Sequence, residues 1–344
     1  MADLTIMGAG IFGLSLAYSC ARRGASVRVI EKRAPGAGSS GGLVGALAPH
    51  VPENWNDKKA FQFSALQMSG PFWDAVAAVS GIDPGYARLG RVQPVSEAGL
   101  ELAHARAKGA DDLWQGFATW QVMRAQDAPG LALHAPAGWV IHDTLSARLH
   151  PRKAGAALVQ AIARLGGKIT IGQDAPAHGP VIWATGHEGL SDLSRDLGRV
   201  VGGGVKGQSV ALALPCPDAP QVFADGLHIV PHIDGTVAIG STSERDFTDP
   251  DSTDAQCDDL LIRARSICPA LRDAPEICRW AGVRPRAKSR APLLGAWPGR
   301  AGHYVFNGGF KIGFAMAPAL AEVMADLVLD GRDTIPDDFR LTMP

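Results

Sequence analysis

The chain has 344 residues, of which 46% are hydrophobic and 19% charged, with a formal net charge of −1 at pH 7. That length supports one large or two medium domains around a sizeable core, and the balance is that of a globular protein with no disorder signature. The near-neutral charge argues against a polyanion-binding surface, so no nucleic-acid partner is expected, and five scattered cysteines without a CxxC pair point to reduced thiols in a cytoplasmic protein, with neither a disulfide framework nor a metal site.

Leu4 to Met7 reads as a short strand that runs straight into a glycine loop. A secretory leader is therefore not expected, and no apolar run reaches the ~20 residues of a membrane span. Ile11 to Arg23 fits a helix ending at Gly24, and Ser26 to Ile30 a second strand closed by Glu31. Ala34 to Pro49 is a glycine-rich loop. Asp57 to Val79 reads as helix, followed by the breakers Gly81, Pro84 and Gly85. From Arg88 to Trp139 the pattern is weak, with one helix expected over Glu97 to Lys108. A helix over Lys153 to Leu165 leads through Gly166-Gly167 to a strand over Lys168 to Ile171. A buried strand over Val181 to Ala184 then ends in Thr185-Gly186. Strands dominate from Val205 to Ile239, a helix is expected over Asp254 to Ile267, and the last helix spans Ala315 to Leu329, stopped by Gly331. Strand–helix alternation at the start and near residues 153 to 186 predicts an α/β fold. A Rossmann-like dinucleotide domain with a parallel sheet would carry an inserted β-rich substrate domain. Residues 1–80, 143–200 and 280–344 are assigned to the first, 81–142 and 201–279 to the second.

Gly8-Ala9-Gly10-Ile11-Phe12-Gly13 is a GxGxxG between strand and helix. Gly8 permits the tight turn, Gly10 lets a pyrophosphate approach the backbone, and Gly13 lets helix and strand pack closely. The helix start at Ile11 offers free N–H groups and partial positive charge to the diphosphate. Glu31, with Lys32 beside it, ends the second strand at the spacing needed to accept hydrogen bonds from ribose hydroxyls. A carboxylate there disfavours the 2′-phosphate of NADP. The motif alone does not separate FAD from NAD.

The second signal is the loop Gly36 to Pro49, with Ser39, Ser40, Gly42, Gly45, Ala46 and Leu47. Joined to the glycine motif, it resembles the D-amino acid oxidase superfamily of flavoenzymes, its glycine oxidase and D-amino acid dehydrogenase-like branch in particular. Later segments resemble the same family in the same order. They are Val181 to Gly186, Gly207-Gln208 with Lys206 in place of an arginine, His228 to Pro231, Gly240 to Thr242, Trp280 to Pro285, and Gly308 to Gly313 followed by Ala317-Pro318. The resemblance implies a glutathione-reductase-type Rossmann domain holding non-covalent FAD. The loop serines would contact the diphosphate, and its small residues would pass alongside the flavin. Ala184, Thr185 and Gly186 would turn over the cofactor, and Gly308, Gly309, Phe310, Lys311 and Ile312 would close on the ring. Two departures concern the substrate: lysine replaces the family's common arginine at Lys311, and histidine its tyrosine at His228. The connection from Lys168 to Pro180 is also short for the family.

The implied reaction is oxidation of a carbon–nitrogen bond of an amino acid or amine, by hydride transfer from the α-carbon to flavin N5, with oxygen or a quinone or other electron carrier as acceptor. Arg284, whose guanidinium can form two parallel charge-assisted bonds, is the expected carboxylate anchor. Lys311 and the helix start that follows it are expected to stabilise the reduced flavin, and His228 and His50 to line the pocket. Three alternatives stand beside this one. A Gly-Ala-Leu-x-Pro loop like Gly45 to Pro49 is shared by the oxidase domain of a bifunctional tRNA wobble-uridine modification enzyme, which would make the substrate an aminoalkyl group on RNA. A flavin-binding protein without turnover and an NAD-dependent dehydrogenase complete the set. Three decoys fail on context. Gly38 to Gly42 matches GxSxG without the strand and helix of a nucleophile elbow. His187-Glu188 lacks a second zinc-binding histidine, and Gly202 to Gly207 places Gln208 where a P-loop needs lysine.

Overall fold

The computed structural model describes residues 3–172 and 177–341. The chain opens with strand β1 (Leu4–Met7), helix α1 (Ile11–Arg22) and strand β2 (Val27–Glu31), as the periodicity predicts. A two-residue strand β3 (Ala46–Leu47) precedes the long helix α2 (Asp57–Ser80). Asn56 caps α2 by accepting the Lys59 N–H at 3.1 Å, and Gly81, in the left-handed region at φ 71°, ends it. Then come β4 (Arg91–Val95), α3 (Leu100–Leu113), β5 (Trp120–Arg124), β6 (Trp139–Asp143) and β7 (Ala147–Arg148). Helix α4 (Pro151–Arg164) begins at a proline, whose missing N–H costs nothing at that position. It leads to β8 (Lys168–Ile171), β9 (Val181–Trp183) and α5 (Gly186–Asp196), a helix that the sequence reading did not place. The remainder is β10 (Gly202–Ala213), β11 (Gln221–Ala224), β12 (Leu227–Pro231), β13 (Thr236–Gly240), α6 (Gln256–Ile267), β14 (Glu276–Ala287), β15 (Leu293–Ala296), β16 (His303–Asn307) and α7 (Gly313–Asp330). The short connection expected between Lys168 and Pro180 includes residues 173–176, which lie outside those described.

Two large sheets and a two-stranded ribbon, β3 with β7, organise the strands among the described residues. Six strands run in the order β15-β16-β9-β1-β2-β8, parallel except for β15. Eight more form a sheet ordered β14-β10-β13-β12-β11-β4-β6-β5, antiparallel except for the β11–β4 pair. The α/β reading with a parallel Rossmann-like sheet and a second β-rich layer holds. Strand β14 pairs with β10 from Gly202↔Ala287 to Leu212↔Glu276, so the larger sheet extends to Ala287 rather than stopping at residue 279.

The main core joins β1 and β2 to helices α1, α2, α4 and α7. Leu66, Ser69, Trp73, Val76 and Ser80 are the buried stripe of α2, spaced as one helical face. Buried Ala315, Ala317, Ala319 and Ala321 let α7 lie close to its neighbours. A second core lies under α6, where Leu260, Leu261 and Ala264 meet Val210, Leu212 and Ile239 of the eight-stranded sheet. Each buried leucine or isoleucine contributes about 1.5–3 kcal/mol. Among the described residues no helix is long and apolar enough to cross a membrane.

Candidate active site

Strand β1 delivers the chain to Gly8, at φ 101°, where a Cβ would stand 2.5 Å from the Ala184 carbonyl oxygen. Only glycine fits that backbone and that approach. Gly13 faces the Gly8 carbonyl at the first turn of α1 and does not line the cleft. Its place in the cofactor set is therefore corrected to one of helix–strand packing. Gly10 is open except for Ser40 Oγ, 3.2 Å from where its Cβ would be. That hydroxyl accepts the Ile11 N–H at 2.9 Å, so the second loop is bound to the first at the helix start. Glu31 Oε2 accepts the Ala9 N–H at 2.7 Å and Oε1 the Arg33 N–H at 3.0 Å, leaving further lone pairs on the carboxylate for hydroxyl donors.

These residues open onto a cleft of about 1160 Å³ that extends from Glu31, Lys32 and Arg33 to Phe310, Lys311 and Ile312. Helices α1, α5 and α7 all begin on it, at Ile11, Gly186 and Gly313, and none has a side-chain cap from the residue before it. Three positive helix ends thus face one space, suited to phosphate groups and to a ring that gains electrons. Ser39, Ser40, Gly42, Gly45 and Ala46 form one wall, and Ala184 and Thr185 another. Gly45, at φ 60°, is pressed against the Leu149 carbonyl. Two further expected cofactor residues stand back from the cleft. Leu47 is fully buried in the main core through its pairing with Ala147, and Gly308 faces Ala287, 3.2 Å from where its Cβ would be. Gly309, Phe310 and Ile312 do line it.

The far end of the cleft is built by β14, β12, β13 and the loop before α7. Arg284 Nη1 donates to Ser241 Oγ at 2.7 Å, and Nη2 to the Thr242 and Lys206 carbonyls at 2.6 and 3.2 Å. Its Nε is buried without a partner. Burial pulls the guanidinium pKa down to about 10, opposed by the Glu244 charge. Lys311 extends over the Phe310 ring, its Nζ 5.9 Å from the centroid, and burial and the Arg284 charge lower its pKa. Phe310 itself is at φ 40°, a conformation uncommon for a residue with a side chain. His228 pairs with Phe223 across β11 and β12, its ring 4.6 Å from the Phe223 ring. Burial, with the Arg91 and Lys311 charges, pushes its pKa down to about 3, so it is neutral at pH 7. His50 is a correction: its backbone N–H and ring Nδ1 both meet Gln62 Oε1 on α2, and it does not line the cleft. His232, not singled out from sequence, is buried beside the cleft and its Nε2 contacts the Leu43 carbonyl at 2.9 Å. Phe223, Ser209 and Ser241 also line the site and were missed as contact residues; no local motif marks them, because pairing of distant strands brings them there.

Residues 3–327 match the family described as DAO, FAD dependent oxidoreductase. The chain belongs to this family. The oxidoreductase is 27% identical over 366 residues to the glycine oxidase of Pseudomonas aeruginosa, covering 97% of this chain and 96% of that one. It is 26% identical over 351 residues to the tRNA 5-methylaminomethyl-2-thiouridine biosynthesis bifunctional protein of Thiobacillus denitrificans, but spans 56% of it. The crystal structure of glycine oxidase from Geobacillus kaustophilus superposes with a TM-score of 0.87 at 23% identity, over 100% of this chain and 99% of that one. FAD is the cofactor of the family, and the residues here fit it: the open backbone at Gly10, the Glu31 carboxylate, three helix starts and a wall of small residues are arranged along one continuous cleft. The chain is an FAD-dependent enzyme of amine or amino acid oxidation.

Proposed function

We propose that the enzyme oxidises the α-carbon–nitrogen bond of a small amino acid, with Arg284 as the carboxylate anchor. The observation that carries this is the Arg284 guanidinium, held in the cleft by Ser241 Oγ and two carbonyls, beside the loop that closes on the ring. It is fixed in direction before any substrate arrives, which is what a positioning group needs. FAD, when bound non-covalently along the cleft, supplies the two-electron acceptor. Glu31 holds the ribose, and the α1 start with Ser39 and Ser40 holds the diphosphate. The α7 start would offer its positive end to the ring as it gains electrons. His228, neutral at pH 7, lines the same end of the cleft without adding charge to it. Phe223, Phe310 and Trp280 add apolar surface to that end.

Two further assignments accompany this reading. Residues built around the six-stranded sheet form the FAD-binding domain, and residues 81–142 with 201–287 the substrate-binding domain. The odd number and scatter of the five cysteines support a reducing compartment such as the cytoplasm. The reduced cofactor would pass its electrons to oxygen, a quinone or another carrier. Mixing the purified yellow protein anaerobically with a panel of amino acids and simple amines tests the reading. Bleaching by amino acids is expected; bleaching only by amines without a carboxylate would overturn it and favour the aminoalkyl substrate of a modified uridine.

A further inference from the structure

A buried hydrogen bond joins the cofactor wall of the cleft to the substrate sheet. His232, 1% exposed in the turn after β12, places its Nε2 2.9 Å from the Leu43 carbonyl, across 189 residues of sequence. A carbonyl only accepts, so Nε2 carries the proton, and Nδ1 is left buried without a partner. Leu43, Val44 and Gly45 are consecutive residues of the wall along which FAD would lie. The Leu43 side chain packs with Ala211 and Ala238 of β10 and β13. A Cβ at Gly240, on β13, would stand 2.7 Å from Val44 Cγ2, and the Gly45 carbonyl accepts the Leu149 N–H at 3.0 Å.

The turn that carries His232 is itself fixed. His150, at the start of α4, accepts the Lys153 N–H on Nδ1 at 3.4 Å, so its Nε2 is the donor to Asp234 Oδ2 at 3.1 Å. Asp234 Oδ1 accepts from Thr236 Oγ1 at 2.7 Å, and the His150 ring lies 4.9 Å from the His232 ring. Besides His150, the charged groups acting on His232 are Arg148, occupied by the Gly85 and Pro217 carbonyls, and Asp234. The turn is already closed by backbone, the His232 N–H donating to the Thr236 carbonyl at 2.8 Å and its carbonyl accepting the Gly235 N–H at 3.2 Å. The ring therefore adds nothing to the hairpin's own pairing. Filling space alone would suit an apolar residue better, because a buried ring nitrogen without a partner is costly.

We propose that His232 is a positioning residue for the flavin. Its bond to the Leu43 carbonyl sets how far the wall of small residues stands from β12 and β14, which carry His228 and Arg284, and so sets the spacing between ring and substrate. A glycine-rich wall has few side chains to hold its place, so its carbonyls are the available handles. Displacement by a fraction of an ångström there would change the approach of the α-carbon to the ring, to which oxidation is sensitive. The inference rests on FAD lying along the cleft, whichever amine is oxidised.

The test compares His232→Gln with His232→Asn in FAD-loaded protein. The glutamine amide nitrogen stands where Nε2 does and can still donate to Leu43, whereas the asparagine amide ends one bond short. Both are polar and near in size, and chemical denaturation shows that each is folded. In the asparagine variant FAD affinity should fall roughly 3–10-fold, the loss of one hydrogen bond, and the visible flavin band should shift. Its limiting rate of flavin reduction should drop by about tenfold or more, with little change in KM. The glutamine variant should recover most of all three. Wild-type affinity, spectrum and limiting rate in His232→Asn overturn the proposal, even where stability falls, since the ring would then serve the fold alone. Equal losses in both variants overturn it too, because the donor at Nε2 would not be what matters. If no amino acid reduces the flavin, the amino acid reading fails separately, and affinity and spectrum, which need no substrate, still decide this one.

Discussion

The Phe310 N–H donates to the Pro285 carbonyl at 3.0 Å, which places Arg284 and Lys311, each one residue from that bond, beside the same aromatic ring. A strand of the eight-stranded sheet and the loop before α7 are thereby fixed to each other at the point where substrate and cofactor would meet. The anchor and the ring contact therefore share one rigid reference.

Arg284→Leu removes the anchor and leaves a bound carboxylate without its partner. Losses of this kind run to roughly 2–5 kcal/mol, or about 30-fold to 5,000-fold in kcat/KM for amino acids. FAD content should stay near normal and amines without a carboxylate should respond little. Arg284→Lys should recover part of the loss, since it keeps charge without the planar fork. Steady-state kinetics with a flavin absorbance check decide this; full activity in the leucine variant would remove Arg284 from the site.

Glu31→Ala should weaken FAD retention. The carboxylate holds the glycine loop through Ala9 and the next turn through Arg33, besides any ribose contact. Hydrogen bonds to charged groups are worth about 1.5–3 kcal/mol each, so FAD affinity should fall by roughly 10–100-fold or more. Titration of the apoprotein with FAD measures it, and substrate preference should not change.

Asp143→Ala is expected to be a stability variant. Asp143 is fully buried, accepts from Arg91 Nε at 3.0 Å and from the Ser146 N–H at 2.8 Å, and joins β4 to β6. Leaving Arg91 buried and unpaired should cost about 3–5 kcal/mol. Chemical denaturation of the wild type and variant checks this; a change under about 1 kcal/mol would mean that water reaches Arg91 freely.

Acid should destabilise the fold in a defined window. Burial lowers the pKa of His228 to about 3 and of His232 to about 4, whereas both titrate near 6.5 when unfolded. Between those values the unfolded chain binds more protons, so stability is full above pH 6.5 and falls with acidification, by up to about 1.4 kcal/mol per pH unit for each histidine. Unfolding free energies measured from pH 7.5 to 4.5 should show this slope, and His232→Asn should flatten it. An unaltered slope in that variant would show that His232 is not its source.

The strand–glycine–helix opening was legible because each signal is local: Leu4 to Met7, the spaced glycines and the terminal Glu31 lie within one βαβ unit. Strands β4, β5 and β6 were not, since Arg91 pairs with Asp143 and Gln221, neighbours that no short window contains. Helix α3 begins at Leu100 and not Glu97, where a single tight turn precedes it, and it runs on to Leu113. Helix α5 was hidden by its polarity: Gly189, Leu190 and Leu193 are its buried residues, too few to set a period. In the site, the backbone-dictated positions were readable, because a glycine at φ 101° announces its constraint. His50 was misplaced because its partner is a glutamine on the following helix, a contact that carries no motif.

The interleaving of the two sheets has a consequence in time. The cleft draws on Met7 at one extreme of the sequence and Ala315 at the other, with β14 and the loop at Phe310 completing it. During synthesis the early βαβ unit emerges first, at roughly 5–20 residues per second, with its glycine loop formed but no wall opposite. Closure of the ring end of the cleft must therefore wait for nearly the whole chain, and a ribosome stalled before β14 would display a nascent protein that has the Glu31, Ser39 and Ser40 contacts but nothing to close on the flavin ring.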